Sequence, residues 1–232
     1  MKEIPLQGGR TTPGIVRIGQ TVRRPPTSNS NFVQRLLQHL AARGFQGTPV
    51  PLGTDELGRD ILSFVEGEVP GELSVHDDDV LRAAATLIRR FHDLGAELVA
   101  ATAAQAVGIE VVCHNDLSPC NFVFRSRLPV AIIDFDASAL GTRAQDLGYA
   151  VWLWLDLGSA DIGAAEQRRR LHLFLDAYEP GSCDVEVVLA AVVQRQTILI
   201  AQGQRSGDPA MSRWAENCRK WTHQNRKILS AA

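Results

Sequence analysis

Between Lys2 and Lys220 the chain contains no lysine, so every permanent cation in that span is an arginine. A phosphate loop ending in G-K-[ST] is therefore excluded. The one stretch that superficially resembles it, Gly53-Thr54-Asp55-Glu56-Leu57-Gly58-Arg59-Asp60, reads as a hairpin turn between two strands. Cysteine is also scarce. Cys113, Cys120, Cys183 and Cys218 form no C-x-x-C pair, which excludes a disulfide framework or a zinc site of paired ligands and leaves reduced thiols in a cytoplasmic setting as the expectation. No apolar run approaches a membrane span, and Met1-Lys2-Glu3 leads into no signal-peptide core, so no membrane association is expected. The net charge of -2 and the lack of a Lys/Arg block interleaved with aromatics argue against nucleic acid as a main partner. Neither an internal repeat nor a low-complexity tract is present.

What remains is a chain of 232 residues, 45% hydrophobic, long enough to bury a sizeable core in one large or two modest domains. Residues 1–66 alternate short β-branched runs with glycine and proline. One helix interrupts them near Asn31 to Arg43, where Phe32, Leu36, Leu37 and Leu40 fall at helical spacing and Gly44 is placed to stop it. Strands are predicted at Pro49 to Gly53 and Asp60 to Val65. The polar stretch at residues 66–71 reads as a hinge, and residues 72–232 as a second, mainly helical lobe. There, Asp77-Asp78-Asp79 load the amino end of a helix to about Ala104 with Val80, Ala84, Leu87, Ile88, Phe91 and Leu94 as its stripe, and His92 at the core edge or surface. A buried apolar helix is expected over Leu147 to Leu157 with Trp152 and Trp154. Three amphipathic helices follow, near Ala160 to Tyr178, Asp184 to Gln204 and Pro209 to Ser230, and their charged faces, Arg168-Arg169-Arg170 included, read as solvated.

The chemistry concentrates in Val111-Val112-Cys113-His114-Asn115-Asp116-Leu117-Ser118-Pro119-Cys120-Asn121 and Ala131-Ile132-Ile133-Asp134-Phe135-Asp136. Two apolar runs deliver carboxylates and a carboxamide to the edges of buried elements within about twenty residues. Asp116 is positioned to accept a proton from an attacking hydroxyl, while Asn121 and Asp134 offer hard oxygen ligands to magnesium on nucleotide phosphates. Phosphoryl transfer asks for positioning and electrostatics, so Cys113 and Cys120 are bystanders. The five-residue step from Asp116 to Asn121, with Asp134 thirteen residues further, matches the H-R-D-x-x-x-x-N and D-F-G pattern of protein kinases.

His114 to Asn121 resembles more closely the H-G-D-L-x-x-x-N loop of the aminoglycoside phosphotransferase and choline kinase-like group. Ile133-Asp134-Phe135-Asp136 is similar to that group's I-D-F/W-[DE], and Asp146-Leu147-Gly148 to the segment opening its next helix. The resemblance implies an α+β, protein-kinase-like fold of two lobes. It also implies a phosphotransferase using ATP or GTP with Mg2+ and a small-molecule hydroxyl acceptor, with Asp146 and His114 supporting the catalytic loop. The first third, with Gly8 and Gly9 in a turn over the nucleotide and Val22-Arg23-Arg24-Pro25 where related kinases carry V-A-I-K, is similar to small bacterial phosphotransferases of the trifolitoxin immunity protein type. Glu66 opens the hinge whose backbone would meet the base.

The departure lies at that arginine pair. Arg23 and Arg24 point to opposite faces of a strand, so one of them can reach the nucleotide, and alignment to the family pattern favours Arg23. The helix at Asn31 to Arg43 carries Gln34 and Gln38 but no acid to pair with it. A silent or weak nucleotide-binding protein, with an immunity or resistance role, is the alternative these changes favour. An iron site from His114, Asp116 and a distant His172 or His223 is disfavoured because both distant histidines lie in helical periodicity. For a polycationic acceptor the nearest downstream acids are Asp156, Asp161, Glu166 and Glu179, each read as a helix-surface charge.

Overall fold

The computed structural model describes residues 2–6, 13–101, 108–159, 161–181 and 183–231. Its first part is an antiparallel sheet of five strands, β1 (Ile4–Pro5), β2 (Val16–Ile18), β3 (Thr21–Arg24), β4 (Pro51–Thr54) and β5 (Asp60–Ser63), in the order β1-β2-β3-β5-β4. β1 lies just before residues 7–12, which, with Gly8 and Gly9, lie outside the described residues. Residues 55–59 turn between β4 and β5, with Asp55 Oδ1 taking the amides of Leu57 and Arg59 at 3.0 and 2.9 Å, as a hairpin rather than a phosphate loop requires.

Helix α1 (Ser30–Ala42) crosses between β3 and β4 in sequence and buries Val33, Leu36, Leu37 and Leu40. It ends where expected, the amides of Gly44 and Phe45 returning to the carbonyls of Ala41 and Leu40 at 2.9 and 3.0 Å. Its amino end is unusual. Asn29 caps no amide of its own helix; its side-chain amide donates instead to the carbonyls of Asp136 and Ser138, at 2.9 Å each.

The second part is mostly helical. Helix α2 (Asp78–Ala101) packs against β6 (Val111–Cys113), and the hairpin of β7 (Phe122–Arg125) and β8 (Leu128–Ile132) lies beside it. Strand β9 (Ala139–Gly141) pairs with β6. Then come α3 (Arg143–Trp154), opened by a capping box between Thr142 and Gln145, α4 (Ala164–Tyr178), α5 (Val185–Ser206) and α6 (Pro209–Leu229), the last two capped by Asp184 and Asp208. One continuous core runs from Leu36 of α1 through Ile88 and Phe91 of α2 to Trp152 of α3 and Phe174 of α4. The segment at residues 66–71 pairs with β7, Glu68 and Phe124 exchanging amide bonds of 2.9 and 2.7 Å. Gly67 allows that approach, since a Cβ there would lie 2.4 Å from the Phe124 carbonyl oxygen.

Three readings of the sequence need correction. His92 is fully buried rather than at an edge. Arg170 is not part of a solvated face: it is 5% exposed and donates to the His76 carbonyl at 2.9 Å, and burial pulls its guanidinium pKa down. Helix α5 does have the length and apolarity of a membrane span, although here it packs between α3 and α6. Helical periodicity marked each of these positions as helical; it did not resolve which neighbour would cover them.

Candidate active site

Strand β6 is buried along its length and ends in His114, also buried. The ring bridges the two motif segments: Nε2 donates to the Ile133 carbonyl at 3.0 Å, and Nδ1 accepts from the Asp116 amide at 3.2 Å. Phe135 packs edge-on against it at 4.6 Å. Between His114 and Asp116 the chain turns through Asn115, whose φ of +65° lies in the left-handed region that asparagine tolerates better than most side chains. Where the similar family loops carry glycine, this chain uses the next most permissive choice.

Hydrogen bonds join Asp116, Asn121 and Ile133, the residue before Asp134, into one unit. Asn121 stands at the end of a single 3-10 turn, Pro119–Asn121, opened by Ser118. Its side-chain amide donates to the Asp116 carbonyl at 2.9 Å, and its backbone carbonyl accepts from the Ile133 amide at 2.9 Å. The donation fixes the amide orientation and leaves the Asn121 side-chain oxygen as its outward acceptor. Asp134 follows β8 by one residue and is itself left-handed, φ +64°. The carboxylate is thereby turned out of the strand.

Asp146 anchors this loop from below. Its carboxylate is fully buried and accepts from the amides of His114 and Asn115, both at 2.7 Å, and from His92 Nε2 at 3.0 Å. Burial alone would raise its pKa, but the His92 hydrogen bond, the nearby imidazoles and the His114 amide outweigh it and hold the carboxyl below its ordinary value. The chain of donors continues outward: Arg143 Nη1 donates to the Tyr178 hydroxyl at 2.9 Å, and that hydroxyl lies 2.8 Å from His92 Nδ1. Because guanidinium only donates and carboxylate only accepts, Arg143 donates to the phenol and His92 Nε2 donates to Asp146. From α3, Trp154 Nε1 adds a further tie to the Leu117 carbonyl at 3.0 Å. Cys113, beneath the loop, is a buried thiol whose pKa burial pushes up, which suits a packing residue and not a nucleophile.

On the side of β3, the arginine that reaches the motif is Arg24 and not the expected Arg23. Arg23 lies on the outer face with Thr21, bonded to its hydroxyl at 2.6 Å and 3.7 Å from Asp55. Arg24, 6% exposed, donates to Asp134 at 3.4 Å and contacts Asp136 more closely still. Strand alternation decides which of the two points inward, and β3's register sets the phase, with Arg24 opposite Asp60. Asp60 is buried and takes hydrogen bonds from Ser30 and Gln34 of α1, so an acid does sit at the strand and helix contact, supplied by β5 and not by the helix. Glu66 is exposed, and its carbonyl accepts from Arg125 at 3.2 Å.

The donor set suits a hard divalent ion. Asp134 and Asp136 already accommodate the positive charge of Arg24, and Asn121 is tied through its backbone carbonyl to Ile133, the residue before Asp134. Among the described residues no trio of His, Cys, Asp or Glu gathers at one point, so a cation here would lean on Asn121, Asp134 and phosphate oxygens. Sequence reasoning missed His92, Asn29, Tyr149 and Arg195. The ring of Tyr149 lies under the Arg195 guanidinium, and the phenol's pKa is raised, first by burial and then by the Asp116 charge. No local motif marks these four, because each acts across the fold.

Comparison with known proteins agrees with this geometry. Residues 94–182 match the phosphotransferase enzyme family. The chain is 31% identical to the trifolitoxin immunity protein of Rhizobium leguminosarum bv. trifolii over 255 aligned positions, covering 97% of this chain and 96% of that protein. In fold it is similar to the GDP complex of aminoglycoside 2'-phosphotransferase-IIIa, with a TM-score of 0.59, 16% identity, and coverage of 97% and 93% of the two chains. It is equally similar to the choline kinase LicA of Streptococcus pneumoniae, with a TM-score of 0.59, 13% identity, and coverage of 100% and 94%.

Proposed function

The chain belongs to the phosphotransferase enzyme family, and we propose that it moves the γ-phosphoryl group of ATP or GTP to a hydroxyl of a small molecule. The observation that carries this reading is the bonding of Asp116, Asn121 and the strand end before Asp134 into one unit, so that a base and two oxygen ligands keep a fixed relation. Asp116 accepts the acceptor's proton as its oxygen bonds to the γ phosphorus and the bond to the nucleoside diphosphate breaks. Asn121 and Asp134 would hold Mg2+, which would supply neutralisation of phosphate charge. Arg24 replaces the strand lysine of related kinases: on meeting nucleotide its fork can leave the carboxylates for phosphate oxygens. Asp146, His114 and His92 keep the loop in place without touching substrate.

In this reading residues 1–66 cover the nucleotide, residues 67–71 are the hinge, and residues 72–232 supply the acceptor side. Gly8 and Gly9 lie outside the described residues, and their place over the phosphates rests on the family pattern. Cys113, Cys120 and Cys218 as unpaired thiols suit a reducing cytoplasm. Thermal shift with ATP and GTP, each with and without magnesium, tests the nucleotide site on wild type beside Asp134→Ala. Magnesium-dependent stabilisation that the variant loses supports the reading, and no stabilisation by either nucleotide overturns it.

A second reading has a specific observation in its favour. The contact of Arg24 with Asp134 and Asp136 suits a silent nucleotide-binding protein in which the strand cation permanently fills the metal side, and the likeness to an immunity protein fits such a role. Nucleotide binding without turnover of any acceptor, and without magnesium dependence, would select it.

A further inference from the structure

The base has two sides. One is the nucleotide side just described, and the other is built by α3 and α5, which cross so closely that a Cβ on Gly148 would lie 2.6 Å from the Ala191 Cβ. That crossing brings Tyr149 and Arg195 together at the catalytic loop. The guanidinium of Arg195 stacks 4.2 Å from the centre of the Tyr149 ring and donates to the Asn115 carbonyl at 2.8 Å. The Tyr149 phenol also neighbours Asp116, and its pKa is raised, first by burial and then by the Asp116 charge. We infer that Arg195, seated on Tyr149, is the residue that selects the acceptor's charge, and that the hydroxyl substrate carries a carboxylate.

This inference rests on the phosphotransferase reading and sharpens its acceptor. Arg195 is half-buried, and among the described residues no carboxylate lies within ion-pair distance, 4.0 Å, of it. The Asn115 carbonyl engages only part of its five donors, so the cation keeps capacity for a bidentate oxyanion. Two of the four acids that a polycationic acceptor would need are engaged elsewhere: Glu166 pairs with Arg169 at 2.7 Å and Glu179 with Arg89 at 2.8 Å. An ammonium group brought to Asp116 would meet Arg195 as a like charge, whereas a carboxylate two or three bonds from the reacting hydroxyl would meet a planar donor fork. The same contact would register the hydroxyl against the base, because Arg195 holds the carbonyl of Asn115, the residue before Asp116.

Glycerate and glycerol differ in just the group at issue, and choline and kanamycin supply the opposite charge. Each is titrated calorimetrically into the protein holding a non-hydrolysable ATP analogue and magnesium. Glycerate should bind wild type at least about tenfold more tightly than glycerol, choline or kanamycin, since hydrogen bonds to charged groups are the strong ones. Arg195→Gln should abolish that preference, and Arg195→Lys should keep part of it. The nucleotide-dependent thermal shift of both variants should equal wild type, which shows that the loop below Asn115 is intact. Equal or absent glycerate binding in wild type, tighter binding of choline or kanamycin, or a preference that survives Arg195→Gln would overturn the inference. Failure of the phosphotransferase reading is separate, since it is read in the nucleotide arm.

Discussion

The two halves of the candidate site are held by different physics. Beneath the catalytic loop, Asp146 is enclosed and satisfied by two amides and an imidazole, and that imidazole by a tyrosine and an arginine behind it. Against β3, a single arginine spans to Asp134 and Asp136, whose side chains keep 26% and 23% of their exposure. One half is a network in which each member fixes the next, and the other is a bridge that solvent or ligand can contest. The comparison teaches that the loop carrying Asp116 should be rigid before any ligand arrives, while the side facing the nucleotide should respond to what binds.

The largest effect should come from the base carried by the rigid half. Asp116→Ala is expected to lower kcat by about 10^2 to 10^4, with nucleotide affinity retained, because the group acts on the acceptor's proton. Turnover at the wild-type rate in steady-state assays would refute its role.

Next is the network itself. Asp146→Ala leaves His92 and two loop amides without their partner in a buried place, and a loss of about 3–5 kcal/mol in denaturant unfolding is expected. The sign of its pH dependence follows from the depressed carboxyl. A group held below its ordinary 3.8 in the folded state gives stability that is complete above that value and is lost as pH falls through the folded pKa. Acid unfolding of Asp146→Asn should accordingly lack this contribution and show a flatter stability curve below about pH 4. An unchanged acid limb would mean that the folded carboxyl is not stabilised in its charged form.

The contested half should give a smaller and differently shaped response. Arg24→Ala is expected to cost little in stability but to weaken nucleotide binding about tenfold, as loss of one charge-assisted contact implies. Under the silent reading the same variant uncovers Asp134 and strengthens magnesium binding without any acceptor turnover. Arg23→Ala, on the outer face, should leave nucleotide affinity unchanged. If Arg23 proves the sensitive one, the strand's facing is wrong.

How much of this could be read from the sequence follows the same division. Asp116, Asn121 and Asp134 sit in a short segment whose spacing is set by one loop and one hairpin, and local pattern was enough to bring them together. The α1 stop at Gly44 and the helices after Asp146 were equally local. What escaped was the identity of residues acting across the fold. His92 belongs to an amphipathic helix whose apolar stripe gives no hint that an imidazole inside it meets a carboxylate 54 positions later. Arg23 and Arg24 could not be told apart without β3's register, and Arg170 looked like one of three surface arginines until α4's rotation against the segment at His76 was known. Periodicity tells which face is buried, not what waits against it.

The finest test concerns Asn115, the joint between the two halves. Its φ of +65° is required by the turn that presents Asp116, and its side-chain amide bonds to the Ala137 carbonyl at 3.0 Å, tying the loop to the segment after Asp134. Asn115→Gly removes that tie but relaxes the backbone, two changes of opposite sign, and its stability should stay within about 0.5 kcal/mol of wild type. Asn115→Val loses the tie and cannot adopt the left-handed turn without strain, so it should be destabilised by about 1–3 kcal/mol. Unfolding curves for the pair isolate backbone geometry from side-chain bonding. If Gly is as damaging as Val, the amide bond to Ala137 is what holds Asp116 toward the Asp134 segment; if Gly is silent, the turn itself is sufficient.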